Sequence, residues 1–505
     1  MSNELLRGRA RAGLLIVAAV CAATGSLEAA PVASSEPVRA VEASSGTGTV
    51  AATAHRAAPM SFDEARTLLH ARADILRAHD AEIARADYES ESAKWLGGPT
   101  IDVEAMQMEG TKTIELGLDT SGIAGAVGGM VDALHPGYGS AVASRIPSNF
   151  SISAKEDIGG PRAAINMVWP LYTGGAISAK QAALGHKATE SRAERDAVQN
   201  EMDADLARKY WAVQLARSIE KVRSDMLADE ERAVHRAKRF EKEGLISKIE
   251  RMSVEVSRDA AKRDLVAAQT DTRVAETELM HGLREARLPE LSTPLFVIRG
   301  DLGTLADWEA AARASSPVLD RIDAQRLQAV QGVAAAESRF KPQVFAFGTK
   351  NLIKHYLTLP EPDWVAGIGV KFTLWSNSDR FASLSAAQSV VSKAEAAHAE
   401  AQNTITSTVN VAFLRVTQAR DEYDLTDSTV KLARENLRLR ESSFAEGLST
   451  ALDVSTARTQ LAGAEIAKRV AAYKFVLGWA MLHAASGRMD QFVESLARND
   501  LETEL

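Results

Sequence analysis

The residue types that most often bind metals or catalyse reactions are thinly spread along this 505-residue sequence. Its ten histidines are scattered between His55 and His483 without the clustering of a metal site, and its single cysteine is Cys21. The glycine-rich stretch GIAGAVGG (122–129) is not set in a strand-to-helix unit of nucleotide-binding length. The sequence therefore predicts a protein that is not an enzyme and has no cofactor, metal or catalytic residues.

The charge distribution argues against a nucleic-acid partner. The formal net charge is −8, and acidic and basic residues are mixed along the helical segments without a basic tract. Only 5% of the residues are aromatic, while alanine is abundant. This composition favours long helices that pack through small side chains.

The N-terminus predicts an exported protein. Residues 1–29 have the pattern of a secretory signal peptide, with arginines before the apolar segment GLLIVAAVCAA (13–23). Cys21 leaves lipidation open as an alternative, although the preceding valine fits an acylation site poorly. Residues 30–60, rich in small residues and proline, are predicted to be a flexible extension.

Two similar sequences, FEKEGLISKIE and FAEGLSTALDV, interrupt long helical patterns at Gly244 and Gly447. These glycines are 203 residues apart, and the same offset aligns WPLYTGG (169–175) with FTLWSNS (372–378). Such self-similarity predicts an internal repeat. The first helices align at an offset larger by 40 residues, which places an insertion in the first half.

Each repeat is predicted to contain a helix, two strands and a long helical hairpin. The repeats span 61–300 and 301–490, and an acidic tail follows at 491–505. The alternation of apolar with small or polar residues predicts strands. The predicted strands are 101–105, 165–172, 343–350 and 364–375. The insertion predicts a longer loop at 118–149. Trp169, Tyr172, Trp364 and Trp375 lie near strand ends, as membrane-interface aromatics do.

The length of the helices and the apolarity of the strands predict an oligomer. In both halves 69 residues separate the strand end from the glycine, and a helix of that length spans about 100 Å. Four strands with an apolar outer face cannot close a barrel alone, because open edges in lipid leave backbone groups unsatisfied. Two chains would give eight strands and three would give twelve. The small and polar inner face favours three chains around a channel.

These motifs, together with SRFKPQVFAFG, resemble the TolC family of outer-membrane efflux and secretion channels over residues 61–490. The resemblance implies a mainly α chain with a small transmembrane β part. It would form a homotrimeric 12-stranded β-barrel in outer-membrane lipid of a Gram-negative cell, joined to a long periplasmic α-helical barrel. The implied partners are a periplasmic adaptor and an inner-membrane transporter of the RND or ABC type. That transporter selects the cargo, which can be drugs, metals or secreted proteins.

The resemblance also assigns roles to individual residues. The two glycine breaks become hairpin tips that dock the adaptor, through Gly244, Leu245, Ser247, Phe444, Gly447, Leu448 and Thr450. Glycine permits the left-handed turn, the leucines are expected to cover it, and Ser247, Ser449 or Thr450 to cap the next helix. Asp453 matches an acidic residue that lines the closed aperture, but the acid expected three residues later is Thr456 here.

Two alternatives remain open at this stage. Asp453 could be a solvated acid on an ordinary helix face. The whole chain could be a periplasmic coiled-coil adaptor or structural tether without a pore, although this would not explain four strands with an apolar outer face.

Overall fold

The computed structural model describes residues 59–147, 149–157, 160–354 and 361–504. The predicted signal peptide, Cys21 and nearly all of the predicted 30–60 extension lie outside these ranges. Within them the chain divides into two units. The sheet unit contains residues 96–175 and 338–376, and the helical unit contains the remaining described residues.

The elements follow one another in a simple order along the chain. The first half contains α1 (Phe62–Arg72), α2 (Asp74–Lys94), β1 (Thr100–Met108), β2 (Thr111–Asp119), α3 (Ser121–Leu134), α4 (Gly139–Ala143), β3 (Asn149–Asp157), β4 (Gly160–Tyr172), α5 (Ala176–Lys242), α6 (Lys248–Leu283) and β5 (Leu295–Ile298). The second half contains α7 (Leu305–Ser315), α8 (Pro317–Glu337), β6 (Gln343–Asn351), β7 (Trp364–Lys371), α9 (Arg380–Ala445), α10 (Ala451–Ala485), α11 (Met489–Ser495) and β8 (Leu501–Glu504).

Two helical hairpins dominate the helical unit. The first consists of α5 with 67 residues and α6 with 36, and the second of α9 with 66 and α10 with 35. Their lengths are nearly equal in the two halves. Among the described residues, no helix combines the length and apolarity needed to cross a bilayer.

The helix that begins each half is broken, contrary to the prediction of a single helix. In the second half the break at Ser316 has a direct cause, because Pro317 disfavours the helical conformation of the residue before it. Pro317 is the first residue of α8. A backbone N–H at this position has no hydrogen-bond partner within the helix, so proline costs no hydrogen bond there. The corresponding break in the first half is at Ala73, which adopts an extended conformation.

The core of the helical unit is an aromatic cluster. Phe62, Trp211 and Phe492 are completely buried, with ring centroids 4.6 to 5.6 Å apart. The indole of Trp211 donates to the carbonyl of Pro294 at 3.0 Å. Each of these side chains comes from a different helix, so the cluster fixes α1, α5 and α11 together.

The C-terminal residues had been predicted to be an acidic tail, but the structure shows them packed within the helical unit. Phe492 belongs to the aromatic core, and β8 pairs antiparallel with β5. Glu502 on β8 accepts hydrogen bonds from Arg299 at 2.6 Å and from the hydroxyl of Tyr423 at 3.0 Å. Glu502 therefore lies on a short strand that pairs with β5 inside the helical unit.

The sheet unit contains a four-stranded antiparallel sheet in the order β1-β4-β6-β7. Its strand β7 ends at Lys371, so residues 372–375 are not part of the strand that had been predicted to reach Trp375. Among the described strands, β1 and β7 form the edges, and the sheet of this single chain is open.

The first half contains more structure than the predicted loop at 118–149. Strands β2 and β3 pair as a second antiparallel sheet, with Thr111 opposite Asp157 and Asp119 opposite Asn149. Between them the glycine-rich residues form α3 and the short helix α4. The predicted loop thus contains helices, since Gly128 allows α3 to pack closely on α4.

Candidate functional site

One face of the four-stranded sheet is apolar and uncovered. The register places Ile101 opposite Met167 and Ile368 opposite Ala346, and alternation puts all four on the same side. Ile101 is 65% exposed and Ile368 is 71% exposed. Such a surface is unfavourable in water and is the kind that lipid or a partner covers.

The opposite face carries a polar network across three strands. The side-chain amide of Asn166 on β4 donates to Asp102 at 3.2 Å and to Glu104 at 3.5 Å, both on β1. Thr349 on β6 donates its hydroxyl proton to the Asn166 carbonyl oxygen at 3.1 Å. This network was missed because alternation in the first half is weak in the sequence. It makes this face polar and negatively charged.

Aromatic rings fill the glycine positions on the same polar face. A Cβ atom added at Gly369 would lie 2.6 Å from the Phe345 ring, and one at Gly367 would lie 3.1 Å from the Phe347 ring. The small and polar residues of this face had favoured a channel in the sequence. The structure shows that the two glycines also accept the phenylalanine rings of the neighbouring strand, which stabilises the β6–β7 pairing.

The four predicted interface aromatics lie at both ends of the sheet. Trp364 pairs with Lys350, and Tyr172 pairs with Val344. These two partners are six residues apart on β6, so about 20 Å of strand separates Trp364 from Tyr172 along the sheet. Trp169 lies near the Tyr172 end and donates its indole proton to the carbonyl of Gly97 at 2.9 Å. Trp375 is four residues beyond β7 and is 91% exposed.

The first hairpin turns through a glycine in the left-handed region. Gly244 has a φ of 76°, and the amide of Leu245 donates to the carbonyl of Phe240 at 2.8 Å. This is the six-to-one hydrogen bond that closes a helix C-terminus. Ser247 then caps α6 in a capping box with Glu250. Both predicted roles, the glycine turn and the serine cap, are present here.

The second hairpin turns in the same way. Gly447 also has a φ of 76°, and the amide of Leu448 donates to the carbonyl of Ser443 at 2.8 Å. Thr450, and not Ser449, is the N-cap of α10. Asp453 completes this capping box, because its carboxylate accepts from the Thr450 amide at 3.0 Å and from the Thr450 hydroxyl at 2.8 Å.

Asp453 therefore has a local structural role that the sequence analysis did not foresee. The hydrogen bonds from Thr450 and Ser449 lower the pKa of its carboxyl group below the ordinary value. Asp453 and Thr456 are one turn apart on the side of α10 that is not packed within this chain, while Val454, Ser455 and Ala457 are buried. The charge of Asp453 thus remains available at the surface of the second tip.

The two leucines after the glycines had been expected to cover the turns, but the structure shows them exposed. Leu245 is 67% exposed and Leu448 is 78% exposed. Ile249, Met252 and Val256 are also exposed, in the first turns of α6. Their spacing of three and four residues places these three on a common helix side. Met252 and Val256 had not been predicted as part of this side, although their spacing is visible in the sequence.

The two tips contact each other within one chain. The rings of Phe240 and Phe444 have centroids 6.1 Å apart. Behind them Val234, Ala237 and Val254 form a small buried cluster, against which Ala451 of the second hairpin also packs. The two hairpins are therefore in contact at their turns through apolar side chains.

Residues 308–488 match the sequence model of the outer membrane efflux protein family. No curated protein sequence matches the chain. Among solved structures, CusC is 12% identical with a TM-score of 0.68, and the match covers 84% of this chain and 91% of CusC. The outer membrane protein VceC from Vibrio cholerae is 13% identical with a TM-score of 0.67, covering 85% and 96%.

The open-state MtrE outer membrane channel of Neisseria gonorrhoeae is 18% identical with a TM-score of 0.64. That match covers 85% of this chain and 89% of MtrE. At such identities the structures establish the fold alone, and the family match covers residues 308–488 of the sequence. Together they confirm the predicted resemblance to outer-membrane efflux channels and agree with the expected location in the outer membrane.

Proposed function

We propose that this outer-membrane efflux channel is a homotrimer that forms the outer component of a tripartite efflux or type I secretion system. The observation that carries the proposal is the open four-stranded sheet with its uncovered apolar face. Each chain supplies four strands, and three chains supply the twelve of a closed barrel. Closure would pair β1 of one copy with β7 of the next and satisfy the edge hydrogen bonds that lipid cannot satisfy.

The two faces of the sheet have the polarity that this assembly needs. The face with Ile101 and Ile368 would contact acyl chains, with Trp364 at one end of the apolar region and Tyr172 at the other. The face with Asp102, Glu104 and Asn166 would line the water-filled passage. Its two carboxylates per chain would attract cations within the barrel.

The hairpin tips supply the proposed contact with a periplasmic adaptor. Leu245, Ile249 and Leu448 are exposed apolar side chains on structured turns, and each turn is held by its own capping box. A rigid apolar tip can bind an adaptor helix with little loss of conformational entropy. An RND or ABC transporter in the inner membrane would complete the system and select the cargo.

Extraction, mass and conductance measurements test the proposal together. The protein should resist salt extraction from membranes, dissolve in detergent as a complex of three chains, and give discrete conductance steps in planar bilayers. An adaptor or tether without a pore would also carry long hairpins, but it would leave the membrane with salt and conduct no ions. Release by salt, or a detergent complex of one or two chains, would refute the proposed channel.

A further inference from the structure

Helix α3 between strands β2 and β3 has an uncovered apolar side. Ile123, Val127, Met130 and Leu134 are exposed, with Met130 at 71% and Leu134 at 73%. Their spacing of four, three and four residues places them in one line along the helix. We call these four residues the α3 stripe.

The other side of α3 is already used for packing within the chain. Gly128 contacts α4 so closely that an added Cβ would lie 2.9 Å from the Cβ of Ala143. The carboxylate of Asp132 accepts hydrogen bonds from the amides of Gly137 at 3.0 Å and Gly139 at 2.8 Å. These contacts fix the orientation of α3 on α4, so the stripe is presented outward by a structured element.

The chemistry of the helix indicates what covers the stripe. Asp132 is the only charged side chain in α3, and residues 121–144 contain no lysine or arginine. Helices that lie on membrane surfaces carry basic residues on their polar side, which α3 lacks. The four-three-four spacing is that of a seam in which helices insert side chains into one another. A second α3 helix therefore fits the stripe better than lipid.

We propose that the α3 stripes of neighbouring copies pack together and form a three-helix cap over the outer mouth of the channel. This inference rests on the proposed trimer, which brings three α3 helices around one axis. Strands β2 and β3 follow the Met108–Gly160 end of the sheet, which is the end that carries Trp364. The cap would exclude large solutes from outside while the glycine-rich packing on α4 holds it in place.

Cysteine cross-linking in intact cells tests the cap. The sequence has one native cysteine, Cys21, within the predicted signal peptide, so introduced thiols are readily followed. Met130→Cys should form disulfide-linked pairs of chains under mild oxidation. Gly129→Cys is the matched control, because that position is exposed on the same helix, has open space around it and lies off the stripe. We expect at least a fivefold higher cross-linked fraction for Met130→Cys.

The outcomes separate the cap from the proposed function. A three-chain detergent complex with no excess cross-linking of Met130→Cys would overturn the cap and leave the channel intact. Preferential labelling of Met130→Cys by a lipid-soluble thiol reagent would assign the stripe to the membrane and also overturn it. A complex without three chains would overturn both. In a second variant, Met130→Glu with Leu134→Glu, repulsion between copies should raise single-channel conductance while the trimer yield is unchanged, and unchanged conductance would count against the cap.

Discussion

Glu230 on α5 and Arg458 on α10 lie 3.8 Å apart inside the helical unit, with the Glu230 side chain fully buried. The hydroxyl of Ser455 donates to Glu230 at 3.1 Å, and Arg458 also pairs with Glu441 at 2.6 Å. Burial raises the pKa of the Glu230 carboxyl group, although the attraction of Arg458 opposes the rise. The first and second hairpins are therefore joined by a contact whose stability depends on protonation.

Glu230→Gln should raise the melting temperature at pH 8 but leave it nearly unchanged at pH 4. A carboxyl group with a raised folded-state pKa contributes stability that is fully present below its ordinary pKa and is lost as pH rises through the raised value. Glutamine stays neutral across that range, and Arg458 keeps Glu441 as its partner. Thermal unfolding followed by circular dichroism in detergent measures the effect. A variant that is less stable at pH 8 would mean that the ionic attraction outweighs the cost of burial.

His483 should make the protein less stable in acid. Its ring contacts Trp308 and Trp479 at centroid distances of 5.0 and 4.6 Å, and its Nδ1 donates to the carbonyl of Arg488 at 3.1 Å. Burial lowers the pKa of His483 from 6.5 to about 4. The unfolded chain therefore takes up the proton first, and stability is lost as pH falls from 6.5 towards 4.

The size of this loss is on the order of 3 kcal/mol in the free energy of unfolding, because one pKa unit corresponds to about 1.4 kcal/mol. His483→Leu should remove this part of the acid dependence. The packing lost through the substitution should lower the free energy of unfolding by the same amount at pH 7 and at pH 4.5. The readout is the difference in unfolding free energy between pH 7 and pH 4.5 in denaturant titrations. Equal acid dependence in the wild type and the variant would exclude His483 as its source.

The hairpins and their turns were predictable because their signals are local. Gly244 and Ser247 are recognisable as a helix stop followed by a helix start, and the same pattern recurs at Gly447 and Thr450. The break at Ser316 was also readable from the following proline. The local rules were sufficient wherever one helix end and its neighbours determine the conformation.

Contacts between distant residues were not predictable in this way. The pairing of β8 with β5 joins residues about 200 positions apart, and the filling of Gly369 by Phe345 requires the register of two strands. Asp453 was assigned from resemblance alone, while its capping partner Thr450 was three residues away. The sequence thus predicted the positions of the two turns but not all of the contacts that hold them.

Leu448→Asp should abolish adaptor binding without affecting the fold. Leu448 is exposed on the second tip, and surface substitutions of this kind usually change stability by no more than about 0.5 kcal/mol. Leu425→Asp is a matched control, because Leu425 is similarly exposed on α9 but more than 20 residues before the turn. Co-purification of the adaptor after cross-linking in cells measures docking. Normal recovery with Leu448→Asp would remove the tip from the interface.

An epitope tag inserted next to Gly137 should be accessible on intact cells. The proposed orientation places the segment 118–149 outside the cell, but a tag at Gly128 would disrupt its contact with α4. Gly137 has open space around it in the turn between α3 and α4. A tag next to Gly244, at the proposed periplasmic tip, should be detected only after the outer membrane is broken. The reverse labelling pattern would invert the proposed orientation.

Asp453→Asn should reduce the cation selectivity of the closed channel. The hydrogen bonds from Thr450 lower the pKa of Asp453, so the carboxylate is charged at neutral pH. In the proposed trimer three such carboxylates would surround one axis, where they attract cations and repel anions. Asparagine keeps the size of the side chain and removes its charge.

Two further variants separate the charge of Asp453 from its capping role. Asp307 forms the same capping box with Thr304 at the start of α7, so Asp307→Asn controls for the loss of a capping carboxylate. Thr456→Asp adds a second ring of charge one turn along α10, and it should strengthen block by multivalent cations from the periplasmic side. Planar-bilayer recordings of all three variants decide the question. If Asp453→Asn and Thr456→Asp both conduct and block like the wild type, Asp453 only caps α10 and the aperture is formed by other residues.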